Sequence, residues 1–279
     1  MYEAWSGGFL KSPAEIAGER QPEEKTMKRS RPAGVAFAVC LALLGSVPPE
    51  AARAEEKPSI EPAARQALTA ALERIAGAKA FTFRAEIVND VALPSAKKLQ
   101  TVGALEMAVR RPNNLFSSFD GEQNSTRLWY DGTTLTMLKV AENVYACWQA
   151  PGRLDDLFAT MKDKLGFTPP LAPLLKEGVA AHAFDRVRTG SVVGPATIGG
   201  TPCKHLVFRG ENADWQFWVT EGAAPLIKRV VITRKKESGN TQYAATFLEW
   251  NFEAPLPDAA FSFTPPKGTA QCEFQPVKR

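Results

Sequence analysis

Between Leu105 and Leu138 the chain reads LEMAVRRPNNLFSSFDGEQNSTRLWYDGTTLTML, and this stretch is patterned for strands. Leu105, Met107 and Val109 alternate with Glu106, Ala108 and Arg110, the two-residue period of a strand with one buried face. Pro112 has no N–H to give a sheet ladder, so Arg110-Arg111-Pro112-Asn113-Asn114 reads as a connection at a sheet edge. A second strand follows from Leu115 to Asp120. Trp129-Tyr130 then leads into Asp131-Gly132, a pair that tolerates the backbone of a tight hairpin, and Thr133 to Leu138 is the returning strand. An antiparallel meander is the core of the expected fold.

The flanking segments add strands and a few helices. Leu68, Leu72 and Ile75 make an apolar stripe at helical spacing, predicting a helix over Pro62 to Ala78. Phe81 to Asn89 is the first strand, and Leu93 to Lys98 is a loop. Val144 to Trp148 continues the strand pattern. From Arg153 to Leu165 the period changes: Leu154, Leu157, Phe158, Met161 and Leu165 recur every three or four residues, an amphipathic helix, with Gly166 as its stop. Pro169 to Glu177 reads as a shorter helical or irregular apolar segment. Strand periodicity returns at Ser191–Ile198, Cys203–Arg209, Trp215–Thr220, Ile227–Arg234 and Gln242–Phe252, and Ala260 to Phe263 reads as a short last strand. The pattern lacks βαβ alternation. It predicts a mostly β, α+β domain: a curled antiparallel sheet of about ten strands with two or three helices over its concave face.

The N-terminal end reads as an address. Met27-Lys28-Arg29-Ser30-Arg31 is basic, Ala33 to Val47 is an apolar run, and Ala52-Arg53-Ala54 is a small-x-small cleavage site, so residues 27–54 read as a secretory signal peptide cleaved near Ala54. Residues 1–26 read as an unstructured upstream leader, and residues 55–279 as one exported, periplasmic domain. The apolar run is short for a permanent span, which takes roughly 20 residues, and no later segment approaches that length. A formal net charge of only +4 argues against a nucleic-acid partner. Cys147, Cys203 and Cys272 follow the cleavage site. Export allows one disulfide, and of three open pairings Cys147 with Cys272 is favoured because both sit near strand ends.

Catalytic constellations are not visible. His182 and His205 are the two histidines and lack metal-ligand spacing, and nucleophile elbows, phosphate loops and dinucleotide fingerprints are missing from the sequence. Neither an enzyme, a metal nor a cofactor is expected. Aromatic residues on alternating strand positions stand out instead. Trp215, Phe217 and Val219 share one face with Trp218 on the other; Leu248, Trp250 and Phe252 share a face opposite Tyr243 and Phe247. Apolar residues on both faces predict that both are covered, by helices on one side and by core or ligand on the other.

Three segments in order carry a resemblance: Met107-Ala-Val-Arg-Arg-Pro-Asn-Asn-Leu-Phe116, Trp129-Tyr-Asp-Gly-Thr-Thr-Leu135 and Asp258-Ala-Ala-Phe-Ser-Phe-Thr-Pro-Pro-Lys-Gly268. Over residues 60–275 the chain resembles the LolA-like superfamily of outer-membrane lipoprotein carriers. With Asp214-Trp-Gln-Phe-Trp218 and the Cys203 segment it looks closest to a branch of predicted periplasmic proteins of unknown function. The resemblance implies an incomplete β-barrel with an apolar interior that receives acyl chains, and a lid held by the arginine of the Arg-Pro-Asn turn, here Arg111. It departs from the carriers by an extra Asn before Leu115, by lacking a tryptophan after Thr-Leu, and by an insert at residues 178–200. The expected function is therefore a non-catalytic periplasmic protein that binds a lipid, a lipoprotein acyl group or a similar apolar ligand. Its expected partner is a lipid or an acylated protein. Phe83, Met107, Trp129, Phe158, Met161, Trp215 and Trp250 are the expected lining. The alternative is a structural or sensory envelope protein with a filled core that acts through another envelope protein.

Overall fold

The fold is given by a computed structural model that describes residues 10–11, 59–94, 97–122, 124–150, 152–165, 169 and 171–274. The expected signal peptide, its cleavage site and all but two residues of the leader lie outside the described residues. In chain order the elements are β1 (Leu10–Lys11), β2 (Ser59–Ile60), α1 (Pro62–Gly77), β3 (Ala80–Ala92), β4 (Lys98–Arg110), β5 (Asn114–Gly121), β6 (Ser125–Tyr130), β7 (Thr134–Lys139), β8 (Val144–Gln149), α2 (Leu154–Leu165), α3 (Ala172–Leu175), α4 (Val179–His182), β9 (Val187–Ile198), β10 (Thr201–Gly210), β11 (Ala213–Thr220), β12 (Ile227–Arg234), β13 (Gln242–Asn251), a 3₁₀ turn (Asp258–Phe261) and β14 (Ala270–Phe274).

All the described strands belong to one curled, unclosed sheet in the order β1-β14-β8-β7-β6-β5-β4-β3-β13-β12-β11-β10-β9-β2. Two antiparallel meanders make it, β3 to β8 and β9 to β13. They are welded side by side where β13 pairs with β3, from Tyr243 opposite Asn89 to Asn251 opposite Thr82. Bulges in the β9–β10, β11–β12 and β13–β3 ladders insert extra residues, which bend strands and increase twist. Eleven strands are six residues or longer. The short pieces β1, β2 and β14 carry too little alternation to be read locally, and β2 and β14 add two parallel pairings, with β9 and β8, to the antiparallel sheet.

The helices sit in connections that must cross the sheet. Residues 150–186 leave β8 near one edge and enter β9 near the other, carrying α2, α3 and α4; α1 joins β2 at that far edge to β3 at the centre. A chain obliged to cross a curled sheet covers its concave face, and its apolar stripe decides which side faces inward. Proline occupies the first turn of α1, where its missing N–H has no helical partner to lose. The helix buries Ala64, Leu68, Ala71, Leu72 and Ile75. Leu68, Leu72 and Ile75 together contribute roughly 5–9 kcal/mol of transfer free energy at 1.5–3 kcal/mol each. Helix α4 and the early start of β9 occupy the stretch read as an insert.

Turn chemistry follows the sequence. Asp131 Oδ1 accepts the N–H groups of Thr133 and Thr134, both at 2.8 Å, while Gly132 takes a φ of +99° that few side chains tolerate. Burial opposes ionisation of Asp131, but these donors outweigh it and hold its carboxyl below the usual range. The expected strand Ala260–Phe263 is instead the 3₁₀ turn and an extended tail, because side chains tie it down before it can join a ladder. Arg110 donates to the Leu256 carbonyl at 3.0 Å, pairs with Asp258 and lies over the Phe261 ring.

Candidate functional site

The concave face is built by strand parity. Phe81, Phe83, Ala85 and Ile87 of β3 lie opposite Val109, Met107, Leu105 and Gly103 of β4, and the same side of the sheet continues through Leu115, Tyr130 and Leu135. From the other meander come Leu206 and Phe208 of β10, each in register with an inward residue of β11, Phe217 and Trp215. Leu154, Leu157, Phe158 and Met161, spaced by three, one and three on α2, complete the enclosure and are each at most 2% exposed.

Six of the seven expected lining residues come together there. Phe83, Met107, Phe158 and Met161 belong to the central apolar cluster, with exposures of 1, 5, 1 and 0%, and Trp215 and Trp250 pack against it half-buried. Phe83, Phe158 and Met161 are thus closely packed between the sheet and its helical cover. Trp250 is fixed at both ends, its Nε1 donating to the Ile227 carbonyl at 3.0 Å and its ring stacking on Phe247 at 4.7 Å. Trp129 is the exception. It stands opposite Phe116, one residue out of phase with the inward Leu115–Tyr130 pair, so it points to the convex side. There it packs on Phe116 at 5.5 Å and on Phe263 of the tail at 4.9 Å.

The parity reading of β13 also needs correction. A bulge between Phe247 and Glu249 shifts the register by one residue, so Phe247 faces inward with Trp250 and Leu248 is left 51% exposed. Apolar residues that alternate on two faces in the sequence thus share one in the structure. Phe247, fully buried between Phe83 and Trp250, was missing from the expected lining for this reason.

The Arg111–Pro112 turn grips the helical cover at two points. The Pro112 carbonyl accepts Leu154 N–H at 3.0 Å, taking up a donor that the first turn of α2 cannot satisfy itself. Arg111 Nη1 donates to the carbonyl of Leu175, the last residue of α3, and the guanidinium lies 5.8 Å from the Phe81 ring centre. Arg111 Nε and Nη2 are shielded from solvent and have no hydrogen-bond partner among the described residues. Burial lowers the guanidinium's affinity for its proton, an effect opposed by the charges of Glu177 and Asp155. Glu177 is itself held by Arg153 at 2.6 Å. Nothing in the sequence could identify the Leu175 carbonyl as a partner, because every residue carries one. Elsewhere a groove of about 370 Å³ opens between Ala63, Ala67 and Ala70 of α1 and the Val219–Gly222 end of β11, with Lys204 and Gln66 on its wall.

The cysteines do not pair. Cys272 aligns with Ala146 in the parallel β14–β8 ladder, so Cys147, the next residue along, points to the opposite face. All three thiols are free. Burial pushes the Cys203 and Cys272 thiols up, whereas Cys147 is exposed beside Thr136. Maleimide is therefore expected to label Cys147 in the native protein and the other two only after unfolding. An intact mass two hydrogens light with Cys147 unreactive overturns this assignment.

Among the described residues no group of three or more His, Cys, Asp or Glu side chains is placed to hold a metal, and no helix is long and apolar enough to cross a membrane. No curated protein matches the sequence. Solved structures similar to the chain include the lipoprotein LppX of Mycobacterium tuberculosis (12% identity, 71% of this chain and 98% of that one, TM-score 0.44). LprF of Mycobacterium bovis is similar over 77% of this chain and 100% of its own (13% identity, TM-score 0.42). The MucA/MucB complex of Pseudomonas aeruginosa matches over 78% of this chain and 64% of that one (13% identity, TM-score 0.41). These likenesses are too distant to carry a function. A family model described as "Predicted periplasmic protein (DUF2092)" matches residues 64–275, most of the chain, and the protein belongs to that periplasmic family.

Proposed function

We propose that this periplasmic protein is a non-catalytic carrier or sensor that holds a lipid, a lipoprotein acyl group or a similar apolar ligand between its sheet and its helical cover. The observation that carries this reading is the latch at Arg111. The cover closes over an apolar interior, and beside the buried Leu174 and Leu175 the polar contact from the Arg111 turn to α3 is one guanidinium with two donors unmet. Leaving buried donors unpaired costs about 1–3 kcal/mol each, which offsets the gain from the Leu175 bond, so the polar latch itself adds little to closure. An apolar ligand that contributes about 0.8 kcal/mol per buried methylene can replace the apolar contacts of the cover with its own. Six of the seven candidate residues belong to or pack against the apolar cluster between sheet and cover, which supports this reading.

The close packing of Phe83, Phe158 and Met161 favours a second reading, in which the interior stays filled and the protein acts through another envelope protein. Native mass spectrometry of protein purified from the periplasm without detergent separates the two. An adduct of lipid mass that disappears on organic extraction is the expected result. A clean apo mass that also fails to take up added laurate overturns the carrier reading in favour of the filled core.

A further inference from the structure

We propose that the ligand is an acyl chain ending in a free carboxylate, and that Arg111 reads that head group; the inference rests on the carrier reading above. The two unpaired donors of Arg111 are Nε and Nη2, which lie on the same edge of the guanidinium plane. That edge presents two parallel N–H groups, the fork that takes both oxygens of one carboxylate. The other side of the group is already used, since Nη1 donates to Leu175 and the ring of Phe81 lies beneath the cation. The closed protein thus spends one donor on its own cover and keeps the two-pronged edge without an acceptor.

The protein's own carboxylates do not fill the position. Glu177 is held by Arg153 at 2.6 Å, and neither it nor Asp155 makes a hydrogen bond to Arg111. A ligand carboxylate does what they do not: it satisfies both donors and neutralises a buried cation while its chain enters among Phe81, Phe83 and Phe158. Charge selects carboxylate over phosphate monoester. A monoester carries about −1.5 to −2 at neutral pH, so one guanidinium leaves part of that charge buried and uncompensated near Asp155 and Glu177. An ester or alcohol offers a neutral acceptor, which neither neutralises the cation nor presents two equivalent oxygens to the fork.

The test compares ligands of one chain length on the lipid-stripped protein by isothermal calorimetry: laurate, methyl laurate and dodecyl phosphate. Laurate is expected to bind at least about tenfold more tightly than methyl laurate, the scale of a charge-assisted hydrogen-bond pair. In Arg111→Met the ratio is expected to fall to about one. Arg111→Lys keeps the charge without the fork and is expected to lose most of the preference; it decides the matter if the Met variant does not fold. Laurate and methyl laurate binding equally, or a preference that persists in both variants, overturns the head-group assignment while leaving the carrier reading intact. Dodecyl phosphate binding more tightly than laurate overturns the choice of carboxylate. If none of the three binds, the carrier reading fails and this inference with it.

Discussion

Phe158→Asp is expected to detach α2 from the sheet and destabilise the protein by at least about 4 kcal/mol. The ring is 1% exposed and sits with Leu154, Leu157 and Met161 on the inward stripe of its helix. Removing it forfeits the burial of a large aromatic and leaves a cavity, and the new carboxylate is placed among apolar side chains. The cost falls on one element, because α2 is held by the Leu154 bond to the Arg111–Pro112 turn, by Lys164 over the Trp148 ring and mainly by apolar contact. Urea unfolding should show the lost stability, and hydrogen exchange should show protection lost first in residues 154–165. A variant whose helix remains as protected as the parent's would mean that Phe158 does not hold the cover down. The same variant bears on function: if α2 closes a ligand site, lipid recovered with the protein falls with the helix's protection.

Phe83→Ala is the second large effect, expected at about 3–5 kcal/mol. Phe83 lies at the weld between the meanders. It stands opposite Met107 on β4 and Trp250 on β13, its ring meets Phe247 edge-on at 5.2 Å, and it lies 5.0 Å from Trp250. Losing it removes both the transfer free energy of the ring and its aromatic pairings, and neighbours anchored in two different strands cannot all collapse into the space. The expected signature is a lower urea midpoint together with altered tryptophan fluorescence from Trp250. Phe116→Ala is a control of the same chemistry on the convex face, where the ring is only partly buried against Trp129, and it should cost clearly less. Equal losses from the two would mean that the weld is not the centre of the core.

The two substitutions also mark which parts of the molecule are legible locally. Phe158 falls on the apolar stripe of a helix whose spacing is plain in the sequence, and the observed helix starts within one residue of the expected Arg153. The stripe of α1, the alternation of β3 to β7 and the Asp131-Gly132 hairpin are equally local. A period of 3.6 or 2 and the backbone freedom of a turn are properties of neighbours in the chain, so sequence carries them. Arg111 was singled out by resemblance. Its unmet donors follow from where α3 ends.

What sequence alone determined is therefore the class: strands in meanders, an amphipathic cover and the absence of recognisable catalytic motifs. Tertiary structure decided which strands meet and which way each side chain points. Pairing β13 with β3 joins residues some 160 positions apart, and no local pattern encodes that contact. The bulge beside Leu248 moved Phe247 onto the inner face, the register of β5 with β6 turned Trp129 outward, and the parallel pairing of β14 separated Cys147 from Cys272. One-residue shifts reverse a strand's faces, and they are set by the free energy of packing the whole sheet rather than by any segment of it.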